Sequence, residues 1–287
     1  MLSSEWSLVM FTILVQAAVG MVLVSEAARL CFGVKAASLR WQTPVACAMS
    51  LVAVLLSLTH LGTPSHSIFT VLNIGHSWLS REIASVGCFS GLLLVLSVLR
   101  RNNASVAPLA LVTVCMGLVT VGIMSKVYLL ETIPVWNTVS TVLGFFSTVL
   151  LTGAVVSGMV YSLEKDAGGM GDANSGRLMG MGSLAATVGL ALKFVSIPLS
   201  MLTLGVVGST GASGMDMLAG TGVGMLVICI LLVFFGGALF AWSACRTVFA
   251  GHDRPLIGSS LCALALVLAG EVLSRLMFYG SYLRIGL

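Results

Sequence analysis

Residues 221–249 read TGVGMLVICILLVFFGGALFAWSACRTVF, and no charged residue occurs in this stretch before Arg246. An α-helix needs about 20 apolar residues to cross the hydrocarbon core of a bilayer, which is about 30 Å thick. Similar runs recur along the 287-residue chain, which is 58% hydrophobic and only 8% charged. A soluble domain carries charged residues at roughly a quarter of its positions. The sequence therefore predicts an all-α integral membrane protein.

The apolar runs predict eight transmembrane helices that form a single transmembrane domain over residues 1–287. The Gly-rich fifth connection, residues 164–177, is expected to link two four-helix halves. The eight helices are expected at Ser7–Phe32, Thr43–Leu61, Ser80–Leu99, Ala107–Leu130, Thr138–Leu163, Leu178–Leu204, Thr221–Phe249 and Pro255–Tyr282.

Basic residues concentrate in the odd-numbered connections between these helices. The terminal segments and the even-numbered connections hold only Arg81 and Arg284. Because Lys and Arg are in excess in the cytoplasmic loops of membrane proteins, the odd-numbered connections are expected in the cytoplasm. Both termini and the even-numbered connections are then expected to face outward. The basic residues of the odd-numbered connections are Arg29, Lys35, Arg40, Arg100, Arg101, Lys165, Arg177, Arg246 and Arg254.

The cysteines and histidines do not form the patterns that hold metals or haem. None of the seven cysteines belongs to a C-x-x-C pair, whereas iron–sulfur ligation requires clustered thiolates. Three of the four histidines, His60, His66 and His76, lie in or beside one connection, rather than on facing helices. We therefore expect this protein to bind no metal, haem or iron–sulfur cluster.

Two ionisable residues lie within the last predicted helix, where a charge is costly. Glu271 and Arg275 are four residues apart and can share one helix face. They are interpreted either as a buried ion pair or as part of a proton path, and the sequence leaves both interpretations open. Lys193, in the sixth predicted helix, has no partner nearby in the sequence.

The second connection carries a pattern that points to proton chemistry. His60 ends the second predicted helix, and Ser80 is expected to cap the third, which places Glu82 in its first turn. If the connection folds back, the imidazole and the carboxylate lie at similar depths and can accept the protons of a quinol. The alternative is an ordinary loop with an interfacial histidine and a capping glutamate.

These residues resemble the pattern of the dimethyl sulfoxide reductase membrane-anchor family. The resemblance runs from the first predicted helix to the last, and the order and spacing of the pieces make it specific. The similar pieces are Glu5-Trp6, Leu8, Phe11-Thr12, Gln16, Gly20, His60-Leu61-Gly62-Thr63-Pro64, Leu72-Asn73, Gly75, Ser80, Glu82-Ile83-Ala84, Val127-Tyr128, Pro134, Trp136, Gly270-Glu271, Arg275 and Phe278-Tyr279-Gly280.

The resemblance implies an anchor in the bacterial inner membrane that works in anaerobic respiration. Its implied partners are an iron–sulfur electron-transfer subunit and a molybdopterin catalytic subunit on the periplasmic side. The anchor is expected to oxidise menaquinol and to pass the electrons on for reduction of an S-oxide or N-oxide. His60 and Glu82 are expected to accept the quinol protons. The residues expected to bind the quinol are His60, Gly62, Pro64, His66, Asn73, Ser80, Arg81 and Glu82.

Three departures from the family pattern leave the terminal substrate of the complex open. His66 and Ile74 stand where the family tends to have basic residues, and Lys126 stands where it usually has Arg. Arg and Lys differ in the geometry of their donors. Three other functions also stay open, namely a secondary transporter, a purely structural anchor and a haem-bearing quinol oxidase subunit.

Overall fold

The computed structural model describes residues 2–34, 39–60, 73–101, 106–166, 174–202, 221–249 and 257–280. Within these ranges the protein forms eight α-helices and no strand, which confirms the all-α prediction. The helices are α1 Leu2–Phe32, α2 Gln42–His60, α3 Trp78–Arg101, α4 Ala107–Val127, α5 Val139–Asp166, α6 Asn174–Met201, α7 Thr221–Phe249 and α8 Ile257–Gly280.

Seven of the described helices are long and apolar enough to cross a membrane. The shorter one is α2, whose apolar part covers Gln42–Leu58. Large apolar side chains also lie on the outside of the bundle, and those of Leu55, Phe194 and Phe235 are each more than 60% exposed. Such a surface is unfavourable in water but matches lipid. The protein is therefore a multi-pass membrane protein.

The first and fifth helices form the centre of the bundle. The main contacts of α1 are with α2, α4, α5, α6 and α8. The main contacts of α5 are with all the other helices except α3. Where α1 and α5 cross, Gly20 faces Gly153. A Cβ atom on Gly20 would lie 1.9 Å from the Val149 carbonyl oxygen, and one on Gly153 would lie 2.3 Å from the Gly20 backbone. The two backbones approach this closely because both residues lack a side chain.

Ion pairs and hydrogen bonds connect the helices at the end of the bundle that carries the odd-numbered connections. Glu26 of α1 pairs with Arg29 at 3.1 Å and also with Arg100 of α3. Arg40 pairs with Glu164 of α5 at 3.1 Å. The basic residues at this end therefore hold helices together as well as marking the predicted cytoplasmic side.

Candidate functional site

The third helix begins two residues earlier than predicted, and this moves its cap. α3 starts at Trp78, and the Ser77 hydroxyl oxygen accepts a hydrogen bond of 3.4 Å from the Ser80 backbone N–H. This is the position from which an N-cap side chain reaches the third residue of a helix. The prediction of Ser80 as the cap was therefore wrong. Ser80 and Glu82 both lie within the first turns of α3.

Glu82 is a buried carboxylate with an unused acceptor atom. Its side chain points into the bundle with 5% exposure, and its Oε1 atom has no hydrogen-bond partner among the described residues. The hydroxyl of Ser80 is likewise buried and without a described partner. Buried polar atoms are nearly always hydrogen-bonded, so an unpaired carboxylate oxygen at this place marks a position for a ligand or a water.

Two buried tyrosines lie within electrostatic range of Glu82. The hydroxyl groups of Tyr128, which follows α4, and Tyr279 of α8 are 3.2 Å apart. Tyr279 also donates to the Thr12 hydroxyl at 3.5 Å. Glu82 acts electrostatically on both phenols. Hydroxyl groups therefore connect α1, the end of α4 and α8 at the end of the bundle where the Glu82 carboxylate of α3 also lies.

Aromatic rings close this end of the bundle. The Trp136 indole N–H donates to the Phe278 carbonyl oxygen at 2.9 Å, and the two rings stack with centroids 5.2 Å apart and an interplanar angle of 18°. Tyr128 meets Trp136 edge-on at a centroid distance of 5.6 Å. These contacts fix the connection between α4 and α5 against the last turn of α8.

Arg275 faces the same region from α8, and its side chain is almost fully buried. Its Nη2 donates to the Gln16 side-chain oxygen of α1 at 2.9 Å, and its Cζ lies 3.7 Å from the centroid of the Phe145 ring. The Nε2 atom of Gln16 is buried and has no described partner. Arg275 also acts electrostatically on Tyr128 and Tyr279. It thus belongs to the surroundings of the Glu82 site.

Glu271 pairs with a residue that is distant in sequence, rather than with Arg275 on its own helix. The Lys193 Nζ atom of α6 lies 2.9 Å from Oε1 and 2.8 Å from Oε2 of Glu271. The Thr148 hydroxyl of α5 donates to Oε2 at 2.8 Å. Spacing along α8 suggested Arg275 as the partner, but the Arg275 guanidinium is directed to Gln16. Lys193 thereby gains the partner that the sequence did not reveal.

The other predicted site residues divide into two groups. His60 is the last residue of α2, but its side chain, together with Gly62, Pro64 and His66, lies outside the described residues. The structure therefore does not test whether His60 approaches Glu82.

Asn73 and Arg81 take part in the turn that precedes α3. The Asn73 carbonyl oxygen accepts from the His76 and Ser77 backbone N–H groups at 3.1 Å each. Arg81 donates to the carbonyl oxygens of Ile74 and Gly75, at 2.8 Å each. Both residues therefore hold the backbone that leads into the Glu82 turn.

A family model described as "DMSO reductase anchor subunit (DmsC)" matches residues 2–281 of this protein. The protein belongs to this family. The match covers all eight described helices, and it confirms the resemblance that the motifs predicted. The fold brings several residues of the family pattern to one end of the bundle, around Tyr128 and Tyr279. Trp136 and Arg275 are two of them.

Three relatives have names that agree with the family. The C subunit of anaerobic dimethyl sulfoxide reductase from Escherichia coli (strain K12) is 28% identical over 293 residues, covering 99% of this protein and 96% of its own length. The anaerobic dimethyl sulfoxide reductase subunit YnfH of the same organism is 27% identical, with the same coverage. The C subunit from Haemophilus influenzae is 30% identical over 163 residues, covering 53% of this protein and 57% of its own length. No solved structure matches the protein.

Proposed function

We propose that this anchor-family protein binds and oxidises menaquinol and passes the electrons to an iron–sulfur subunit of a DMSO reductase-type complex. A molybdopterin subunit then uses the electrons to reduce an S-oxide or N-oxide. The observation that carries the proposal is the buried Glu82 carboxylate, whose Oε1 has no described hydrogen-bond partner and which lies within electrostatic range of the paired Tyr128 and Tyr279 phenols. Association with other subunits is implied by the family to which the protein belongs.

The proposed chemistry uses Glu82 as a proton acceptor. One quinol hydroxyl donates a hydrogen bond to the Glu82 Oε1 atom, and its proton passes to the carboxylate as electrons leave the ring. The second proton goes to the imidazole of His60 at the end of α2. Two electrons and two protons leave each quinol, which becomes the quinone. The proposed walls of the quinol site are Gly62, Pro64, His66, Asn73, Ser80 and Arg81.

The placement of charge supports an orientation for this site. The Glu82 turn lies at the end of the bundle opposite the ion pairs of Glu26 with Arg100 and of Arg40 with Glu164. If the basic end is cytoplasmic, the quinol site faces the periplasm, where the partner subunits would dock on the inner membrane. We also propose that the chain crosses the membrane eight times, in two four-helix halves, with both termini in the periplasm.

The test is to purify the complex through a tag on this protein and to measure oxidation of a quinol analogue. General acid–base groups contribute about 10²–10⁴-fold to rate, so Glu82→Gln and His60→Ala should each lower quinol oxidation by roughly that factor. Reduction of the S-oxide with an artificial electron donor, and the yield of partner subunits, should stay unchanged.

Glu131→Gln is the matched control, because Glu131 is an exposed acidic residue in the connection between α4 and α5. It should leave quinol oxidation unchanged. Normal quinol turnover in both site variants would mean that Glu82 and His60 do not accept the protons, and would favour a purely structural anchor. Purification without any iron–sulfur partner would remove the complex itself from the proposal.

A further inference from the structure

A cavity of about 670 Å³ lies between α5, α6, α7 and α8, at the same end of the bundle as Glu82. Its rim includes Met201 and Gly280, the last residues of α6 and α8, and Val135, which precedes the start of α5. Its deepest part includes Lys193, which is eight residues before the end of α6 at Met201. At a rise of 1.5 Å per residue, this places Lys193 roughly 12 Å below the rim.

The cavity walls are mainly apolar, with a few polar groups at defined positions. Met225, Leu226 and Phe278 contribute apolar surface, and Ser196 contributes a hydroxyl. Ligand pockets typically have volumes of about 300–1,000 Å³ and combine apolar walls with a small number of oriented polar groups. By size and lining, the cavity therefore suits an amphipathic ring compound better than a hydrated ion.

The two cations in the cavity wall differ in how their charge is balanced. Lys193 is neutralised by both carboxylate oxygens of Glu271. The described contacts of Arg275 are instead the neutral Gln16 amide and the rings of Phe145 and Phe278, with no carboxylate within ion-pair distance among the residues that the structure describes. Arg275 has five N–H donors, so it can donate to a ligand while it keeps its bond to Gln16.

We propose that this cavity binds a second quinone molecule, separate from the one that is oxidised beside Glu82. One carbonyl oxygen of the ring accepts a hydrogen bond from Arg275, and the ring lies against Phe278. The tail runs along Met225 and Leu226 towards the rim. A neutral carbonyl suits this depth because a phospholipid phosphate would have to lose its hydration to reach Arg275.

Arg275 forms the wall between the two proposed sites. It lines the cavity and also acts electrostatically on Tyr128 and Tyr279, the two tyrosines on which Glu82 acts as well. The inference rests on the proposed function for its class of ligand, because a quinol-oxidising anchor meets quinone continuously. Occupancy of the cavity does not depend on proton transfer to Glu82, and the two claims can therefore be tested apart.

The test is photolabelling of the purified complex with an azido-menaquinone, followed by mass-spectrometric mapping of the labelled peptides. We expect label on the α7 segment that contains Met225 and Cys229, and unlabelled menaquinone should compete for it. Gly144→Leu should abolish this labelling, because Gly144 lines the cavity and a Cβ atom there meets nothing within 4 Å.

Two further variants distinguish loss of labelling caused by filling the cavity from loss caused by misfolding of the protein. Gly224→Leu is the matched control, since Gly224 also has open space at its Cβ position but does not line the cavity, and it should leave α7 labelling intact. Ser196→Leu fills the cavity from α6 and should abolish the labelling as Gly144→Leu does. Absence of label on α7, or labelling that neither cavity variant lowers, overturns the proposal.

Competition identifies the occupant. Displacement of the α7 label by phospholipid but not by unlabelled menaquinone would make the cavity a lipid site and overturn the proposal. Failure of the quinol-oxidation site has a different signature, namely full quinol turnover in Glu82→Gln with α7 labelling retained. Loss of turnover in Glu82→Gln together with unlabelled α7 would instead leave the oxidation site standing and remove the cavity site.

Discussion

Lys193 and Glu271 illustrate how a membrane-spanning bundle accommodates charge. A charged side chain inside a bilayer is costly, and pairing with an opposite charge offsets much of that cost. Both carboxylate oxygens of Glu271 are bound to Lys193, and Thr148 adds a hydrogen bond to one of them. The three residues come from three different helices, so this contact depends on the tertiary fold.

We predict that Lys193→Met destabilises the protein far more than the loss of a surface lysine. Removing one partner of a buried pair typically costs about 3–5 kcal/mol, because the remaining charge stays buried. The double variant Lys193→Met with Glu271→Leu should regain most of that loss. Thermal unfolding of the detergent-solubilised complex measures both effects. Lys126→Met, at an exposed position in the last turn of α4, is the control. A double variant that is as unstable as the single one would contradict the prediction.

Sequence reasoning found the chemically distinctive residues but not their contacts. It singled out Glu82, and the structure shows this carboxylate buried and with an unpaired oxygen. It offered Arg275 as a possible ion-pair partner of Glu271 because local spacing is the only distance that a sequence supplies, whereas their partners in the structure come from α6 and α1. The cap of α3 was misplaced because Ser77 and Ser80 are both suitable capping residues and the helix begins at the earlier one.

At the scale of the elements, hydropathy predicted the positions of the helices well and their ends less well. Each predicted helix coincides with a described one. α4 stops at Val127, before the predicted Leu130, because the backbone N–H groups of Tyr128 and Leu129 bond to carbonyl oxygens three residues earlier. Such a tightened last turn is common at helix ends. The apolar run continues through it, so composition alone gives no signal of the end.

The crossing of α1 and α5 should be the least tolerant helix contact in the bundle. Gly20→Ala places a methyl group 1.9 Å from the Val149 carbonyl oxygen, and the two helices must separate to relieve the overlap. Overpacking of this kind typically costs about 1–3 kcal/mol. We expect a corresponding fall in the unfolding temperature of the purified protein. Gly122→Ala in α4 is the control, because a Cβ atom there meets nothing within 4 Å. Equal stability of the two variants would show that the crossing can relax.

At the scale of the whole molecule, the number of membrane crossings decides whether the two termini lie on the same side of the membrane. Seven described helices are long and apolar enough to span, and α2 is shorter. If α2 also crosses, as we propose, both termini lie on the same side of the membrane; if it does not, they lie on opposite sides. We therefore expect reporter fusions at both termini to report the periplasm and fusions within residues 102–105 to report the cytoplasm. Termini on opposite sides would show that α2 does not cross.

The central position of α1 also sets the order in which the fold is completed during synthesis. Glu26 meets its partner Arg100 after 74 further residues, but Gln16 meets Arg275 only after 259. At about 5–20 residues per second, translation takes roughly 10–50 s to cover the longer interval. During that time the Gln16 side chain of α1 lacks its hydrogen bond to Arg275. α1 therefore reaches its full set of described contacts only after α8 has been synthesised, and a ribosome that stalls before α8 leaves the Gln16 amide inside the bundle without this bond.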